Sequence, residues 1–312
     1  MRSGLSASWG DLRYGALISL ARVTLLKLRR LPVDPRNWRP HILIFVGDPK
    51  KHLDLLRFAV WLNQSRGILT LCKMMVGELE KLAPAAHEET REIDRFLDEQ
   101  GILAFAETEI VPSFEQGVMA IAQANGIAGI SSNTVMFGWS PHTERMLSIL
   151  RVVRQAEYLG KSAVICRIAP RRWSDELRRI DVWWGGLQNN GDMLLLFAYL
   201  ISVNSEWSDA RITVKTVASN AMTHDQTARG LKDLIERCRI KADAKVIQRA
   251  AGETVQSIIQ AESRDADLVF LGLQRTQPGE EEAYYGRLQE LVGDLPTVIL
   301  VRAAGDFAGR LL

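Results

Sequence analysis

An α/β fold of two tandem parallel-sheet units is predicted by three observations in this 312-residue sequence. Short apolar runs alternate with helix-period stretches along most of the chain. The order repeats after a polar break at residues 170–179. Each repeat contains a strand that stops at a glycine before a helix begins. Alternation of this kind implies parallel strands with helices on both faces, and at about 150 residues per domain the length allows two units, each with its own core. The expected division is a connector over residues 1–40, a first α/β unit over 41–179 and a second over 180–312, the two units forming consecutive layers of parallel strands and covering helices rather than a single undivided sheet.

The clearest strand-to-helix unit is Ile180-Asp181-Val182-Trp183-Trp184 followed by Gly185, Gly186 and Asn189-Asn190-Gly191. It reads as a buried strand, a glycine turn and an apolar helix capped by Asp192. A glycine turn before a helix can cradle phosphate, but neither G-x-G-x-x-G nor G-x-x-x-x-G-K-[ST] is present, so the turn is read as a chain reversal. Trp183 and Trp184 point to opposite faces of one strand, and both are buried only if both faces are covered.

In the first unit, strands are expected at 41–46, 67–76, 102–110, 127–138 and 162–168, with helices at 53–63, 84–100, 113–125 and 142–160. In the second, strands at 210–217, 244–248, 267–273 and 297–302 alternate with helices at 225–239, 254–262 and 283–292. The two series align internally: Val135, Phe137 and Gly138 match Val269, Leu271 and Gly272, and residues 163–167 match residues 298–302. This predicts a pseudo-symmetric body.

The connector differs in composition. Residues 1–40 carry eight Lys/Arg and two Asp, which leaves 31 basic against 35 acidic residues in the rest, out of 39 and 37. The body is therefore mildly acidic, which argues against a broad nucleic-acid surface. Leu12, Ala16, Leu17, Leu20, Val23 and Leu28, with Arg13, Arg22 and Lys27 between them, predict an amphipathic helix ending before Pro32. Such a helix suits packing on the body or a second copy, or contact with an anionic inner-membrane surface. Trp38, between arm and body, is read as a plug or as the contact that sets the arm's angle.

Hydrophobic content of 47%, charged content of 24% and near-zero mean hydropathy fit a soluble globular chain. No apolar run reaches the roughly 18 residues of a membrane span. Cys72, Cys166 and Cys238 lie far apart and read as core residues in a reducing compartment. The five histidines show no ligand spacing and no G-x-S-x-G occurs, so neither a metal nor an enzyme is expected.

Trp9-Gly10-Asp11, Asn37-Trp38-Arg39-Pro40, residues 132–139, residues 180–184, and residues 267–273 with Leu295-Pro296-Thr297 resemble, in consistent order, the cytoplasmic C-terminal domain of prokaryotic-type cation-chloride cotransporters. The resemblance implies a homodimeric regulatory domain at the cytoplasmic face of the membrane, with two units similar to universal stress proteins (a Rossmann-like, parallel-sheet fold). It also implies a transmembrane transport domain as partner, in the same or a separate polypeptide, and chloride-coupled transport of sodium or potassium. Trp38, Trp183, Trp184, Gly185 and Gly186 are then structural and coupling residues. The alternative is a nucleotide sensor. Universal stress proteins that bind ATP carry an Asp after the first strand and G-x-x-G-x(9)-G-[ST] after the fourth, which here makes Gly47, Asp48, Gly138 and Ser140 the candidate ATP/ADP contacts. The motif is broken: residue 141 is Pro, the terminal Gly-Ser is missing, and Gly272, Gly279 and Gly286 in the second unit are wrongly spaced.

Overall fold

The computed structural model describes residues 9–30, 38–127, 130–169, 178–185, 190–218 and 221–305. Helix α1 (Trp9–Leu28) precedes a body that begins with β1 (Ile42–Phe45), α2 (Leu53–Asn63), β2 (Leu69–Val76), α3 (Leu79–Glu99), β3 (Phe105–Val111) and α4 (Phe114–Ala124). A short hairpin, β4 (Gly126–Ile127) and β5 (Ile130–Ser131), leads to β6 (Thr134–Gly138), α5 (Thr143–Tyr158) and β7 (Ser162–Arg167). The second half contains β8 (Arg179–Trp183), α6 (Gly191–Ser202), β9 (Arg211–Ala218), α7 (Ala221–Cys238), β10 (Ala242–Gln248), α8 (Val255–Glu262), β11 (Leu268–Gly272), α9 (Glu281–Val292) and β12 (Thr297–Arg302).

Instead of two separate consecutive layers, the strands form one ten-stranded sheet in the order β10-β9-β8-β11-β12-β7-β6-β1-β2-β3, with β4 and β5 outside it. Each half keeps the same internal order and pairs in parallel, and the halves meet where β12 pairs antiparallel with β7, Leu300 opposite Ile165. The expectation of separate layers failed because periodicity shows which strands are buried but not that the last strand of each half, apolar throughout, finds its partner in the other. Registers bear out the internal alignment. Gly138 pairs with Cys166 as Gly272 pairs with Val301, so the two halves superpose residue by residue at these strands.

Both sheet faces are covered, and each core runs through both halves. Ile42, Ile44, Phe58, Leu71, Phe197 and Phe270 belong to one face; Leu43, Val135, Ile165, Val269 and Leu300 belong to the other. Trp183 is buried in the second core while Trp184 packs on the first, as two consecutive strand residues must.

Three local expectations need correction. Residues 127–138 do not form one strand, because Gly126 adopts φ +131°, the chain folds into the β4–β5 hairpin, and the Asn125 side chain accepts from the Ser132 amide. Helix α3 begins at Leu79 and carries Pro84 inside it, at the cost of one backbone hydrogen bond. Helix α1 forms but is not amphipathic: Tyr14, Leu17, Ile18, Leu20, Val23, Leu26 and Leu28 are all exposed and, at 100° per residue, surround the axis.

Candidate functional site

A crevice of about 360 Å³ opens beyond the carboxyl ends of β1 and β6, where ligands of open parallel sheets bind. Gly47, Gly138 and Ser140 line it. A Cβ on Gly47 would meet nothing within 4 Å, so its backbone faces open space. Phe45 and Phe137 stack at 5.5 Å between centroids, and Phe114 meets Phe137 edge-on at 6.3 Å. The Arg145 guanidinium lies 3.9 Å from the Phe114 ring centroid, and burial lowers its pKa from the usual arginine value. Ser140 Oγ accepts from the His142 amide at 3.2 Å, shaping the turn into α5. Among the described residues no carboxylate lines the crevice, which has instead Arg145, His52, His142 and the N-terminal end of α5. That set suits an aromatic or anionic ligand rather than carboxylate acid–base chemistry.

Asp48 is directed elsewhere. Its carboxylate caps the 3-10 turn Pro49–His52 by accepting from the Lys50 amide at 3.0 Å, lies 3.7 Å from Lys51, and faces a separate hollow beside Lys73 and Glu89. Trp139 lines the crevice and also reaches across the halves to Tyr285 on α9, 5.7 Å between centroids. Sequence reasoning missed Arg145 and the aromatic floor, since nothing in the spacing of Phe45, Phe114 and Phe137 shows that a sheet and two helices bring them together.

The equivalent mouth in the second half is plugged. Asn190 is buried, donates from Nδ2 to Leu273 O at 2.8 Å and accepts at Oδ1 from the Ala303 amide at 2.9 Å. A Cβ on Gly272 would lie 2.9 Å from Asn190 Nδ2. The glycines of the preceding turn have a related role. Gly191 opens α6, and a Cβ there would lie 2.7 Å from the Trp184 ring, so this glycine makes room for the indole. Asp192 sits in the first turn of α6 rather than capping it, and the capping position belongs to Asn190. Gly185 has open space around its Cα; Gly186 lies outside the described residues.

Asp181 and Lys215 form a buried pair at 2.7 Å. Lys215 Nζ also donates to Glu262 O at 2.6 Å, Ser263 Oγ donates to Asp181 Oδ2 at 2.7 Å, and Trp183 Nε1 donates to Ser263 Oγ at 2.9 Å. A serine, a carboxylate and a lysine in contact invite a catalytic reading. Yet Ser263 is fully buried, and its hydroxyl is already engaged by Asp181 and by the Trp183 indole. This network fixes the Ile180–Trp184 stretch in the sheet. Among the described residues no group of three or more His, Cys, Asp or Glu is placed to hold a metal.

The arm joins the body firmly at its last residues. Trp38 packs against the first core, Pro40 O accepts from Asn63 Nδ2 at 2.9 Å, and Arg39 O accepts from Asn133 Nδ2 at 2.7 Å. No helix among the described residues is long and apolar enough to cross a membrane.

The cytoplasmic domain of a prokaryotic cation chloride cotransporter superposes with a TM-score of 0.61 at 19% identity, over 87% of this chain and 98% of that one. A universal stress protein from Archaeoglobus fulgidus gives 0.55 at 14% identity, over 85% and 97%. A putative universal stress protein from Pseudomonas aeruginosa gives 0.54 at 16%, over 88% and 97%. The family model of Solute carrier family 12 matches residues 161–257, the span from β7 through the Ile180–Trp184 stretch to α8. About a third of the chain thus matches the Solute carrier family 12 model, and its fold is similar to that of a cotransporter's cytoplasmic domain.

Proposed function

We propose that this chain is a non-enzymatic regulatory and dimerisation domain at the cytoplasmic face of a cation-chloride cotransporter-like carrier, coupling assembly of the body to chloride-coupled cation transport. The observation that carries the reading is the Solute carrier family 12 match on residues 161–257. The superposition on a cotransporter's cytoplasmic domain supports it, as does an apolar helix left exposed ahead of a compact body. Helix α1 is the connector. It regulates only by making different contacts in different transport states, because equal contacts shift no equilibrium. The test is deletion of residues 1–37, a cut that spares the body contacts of Trp38, Arg39 and Pro40. The truncated body keeps its thermal transition, and regulation of ion flux by the domain, measured with the transport domain present, is lost. Unchanged regulation would remove the proposal.

A second reading, an ATP/ADP sensor, draws on the open first crevice with its aromatic floor and Arg145. Its signature is a thermal shift at millimolar ATP or ADP that Arg145→Ala abolishes and Asp48→Ala leaves in place. No shift at those concentrations counts against it.

A further inference from the structure

An open groove of about 920 Å³ runs along the sheet face at the β3 edge, away from the strand-end crevice. Thr70, Phe105, Glu107 and Glu109 line its floor, and α4 and the β4–β5 hairpin wall it through Ile121 and Ile127. Phe105 and Ile127 are each 65% exposed, so the lining is apolar but uncovered. Two carboxylates stand in that apolar setting. The Glu107 pKa is raised, first by burial and then by the charge of Glu109. Over the seven residues of β3 the groove is roughly 23 Å long at 3.3 Å per residue. An α/β sheet normally carries a helix in such a place.

The same chain has a helix in need of cover. Helix α1 shows exposed apolar side chains on every side, and within residues 13–30 only Leu25 is even half-buried. A helix of that kind is stable in water when other surfaces enclose it. Its 20 residues span about 30 Å at 1.5 Å each, enough to fill the groove. Arg13, Arg22 and Lys27 within it, and Arg29 and Arg30 just beyond its end, make the arm basic where Glu107 and Glu109 make the groove acidic. In the single chain α1 lies exposed and the groove stays open, so each supplies what the other lacks without being satisfied in its own copy.

We propose that α1 of one copy seats in the β3 groove of a second, and that the reciprocal contact closes a two-fold dimer by arm exchange. The exchange rests on the dimerisation part of the reading above and gives it an address. Two identical helix-in-groove contacts are self-complementary, as a closed dimer requires. The acidic groove selects this basic helix over neutral apolar ones.

The experiment uses the full chain with Cys238→Ser, because Cys72 and Cys166 are buried and Cys238 is partly exposed. One preparation carries Leu20→Cys and the other Phe105→Cys, both at exposed positions. After mixing and mild oxidation, a disulfide-linked dimer containing one chain of each kind is expected. Adding Glu107→Lys and Glu109→Lys to the second chain weakens association tenfold or more at low salt, while circular dichroism stays that of the folded body. A disulfide that forms only when both cysteines are in one chain overturns the exchange. So does a dimer by light scattering that never crosslinks, though that result leaves dimerisation itself standing; a monomer removes both. Binding of the chain to anionic vesicles with no mixed disulfide assigns α1 to lipid and overturns the exchange as well.

Discussion

Arg167 and Arg302 hold equivalent positions at the ends of β7 and β12, and each reaches across the antiparallel seam to the far end of a helix from the opposite half. Arg167 donates to Gly293 O at 2.9 Å and Leu295 O at 2.8 Å, just beyond α9. Arg302 holds both oxygens of Glu157, in the last turn of α5, at 3.0 and 3.3 Å. Cations at helix C-termini complement the dipole. The seam is thus tied symmetrically from both sides. Arg167→Ala is expected to lower the unfolding free energy by about 1.5–3 kcal/mol, the range for charged hydrogen bonds. Urea denaturation followed by tryptophan fluorescence measures it, and a loss under 0.5 kcal/mol would show that the seam does not depend on this residue.

The Asp181–Lys215 pair has an internal control. In the first half, Leu43 and Cys72 occupy the equivalent register positions, so the same sheet face is built once with charges and once without. Lys215→Met strands a buried carboxylate with Ser263 as its remaining side-chain donor and should cost about 3–5 kcal/mol. The double change Asp181→Leu with Lys215→Met should recover most of that, since it recreates the first half's chemistry. Equal losses for the single and double variants in a urea titration would disprove the argument.

Asn190→Ala should reopen the second mouth. It leaves the Ala303 amide without its side-chain acceptor, at about 1–3 kcal/mol, and the Leu273 carbonyl with Arg302 Nη1 at 3.5 Å as its remaining side-chain donor. The expected result is a lower melting temperature together with faster hydrogen exchange at Ala303. A melting temperature within a degree of the parent would show that water replaces the amide at no cost.

His41 gives the acid response a direction. Burial lowers its pKa from 6.5, and Nδ1 accepts from the Ile68 amide at 3.0 Å, which requires the neutral ring. Below pH 6.5 the unfolded chain takes up a proton that the folded chain refuses. Stability therefore falls as pH drops through that window and is unaffected by this group above it. His41→Asn, which retains an acceptor, should match the parent at pH 7.5 and exceed it at pH 5.5 in thermal melts. The same acid loss in both proteins would assign it elsewhere.

Much of this was legible from residue spacing, for reasons that differ by element. The helix Leu53–Asn63 was read to the residue because its apolar positions recur at helical intervals between a Pro-containing turn and a residue with left-handed backbone, Gln64. The repeat alignment of residues 163–167 with 298–302 held because central strands buried on both faces keep a distinctive apolar run. The arm misled because a few well-spaced leucines suggest a stripe, although Tyr14, Ile18 and Leu26 fill the remaining sides. The crevice was half visible. Glycine and serine at strand ends mark its rim, but Arg145 reaches it from the first turn of α5, where sequence shows only one more arginine on a charged helix. The groove was not visible at all, since its lining comes from β2, β3, α4 and the β4–β5 strands, which residue spacing does not bring together.

Strand β1 has its arm anchor, Trp38 to His41, before one end and the crevice-lining Gly47 beyond the other, roughly 20 Å from His41 at strand spacing. Because β1 is paired in parallel on both sides, it behaves as a strut rather than a spring. Any message between an occupied crevice and the arm has to travel as rigid tilt of this strand with its neighbours, so small rotations of the whole first half, rather than local loosening, are the motion to look for.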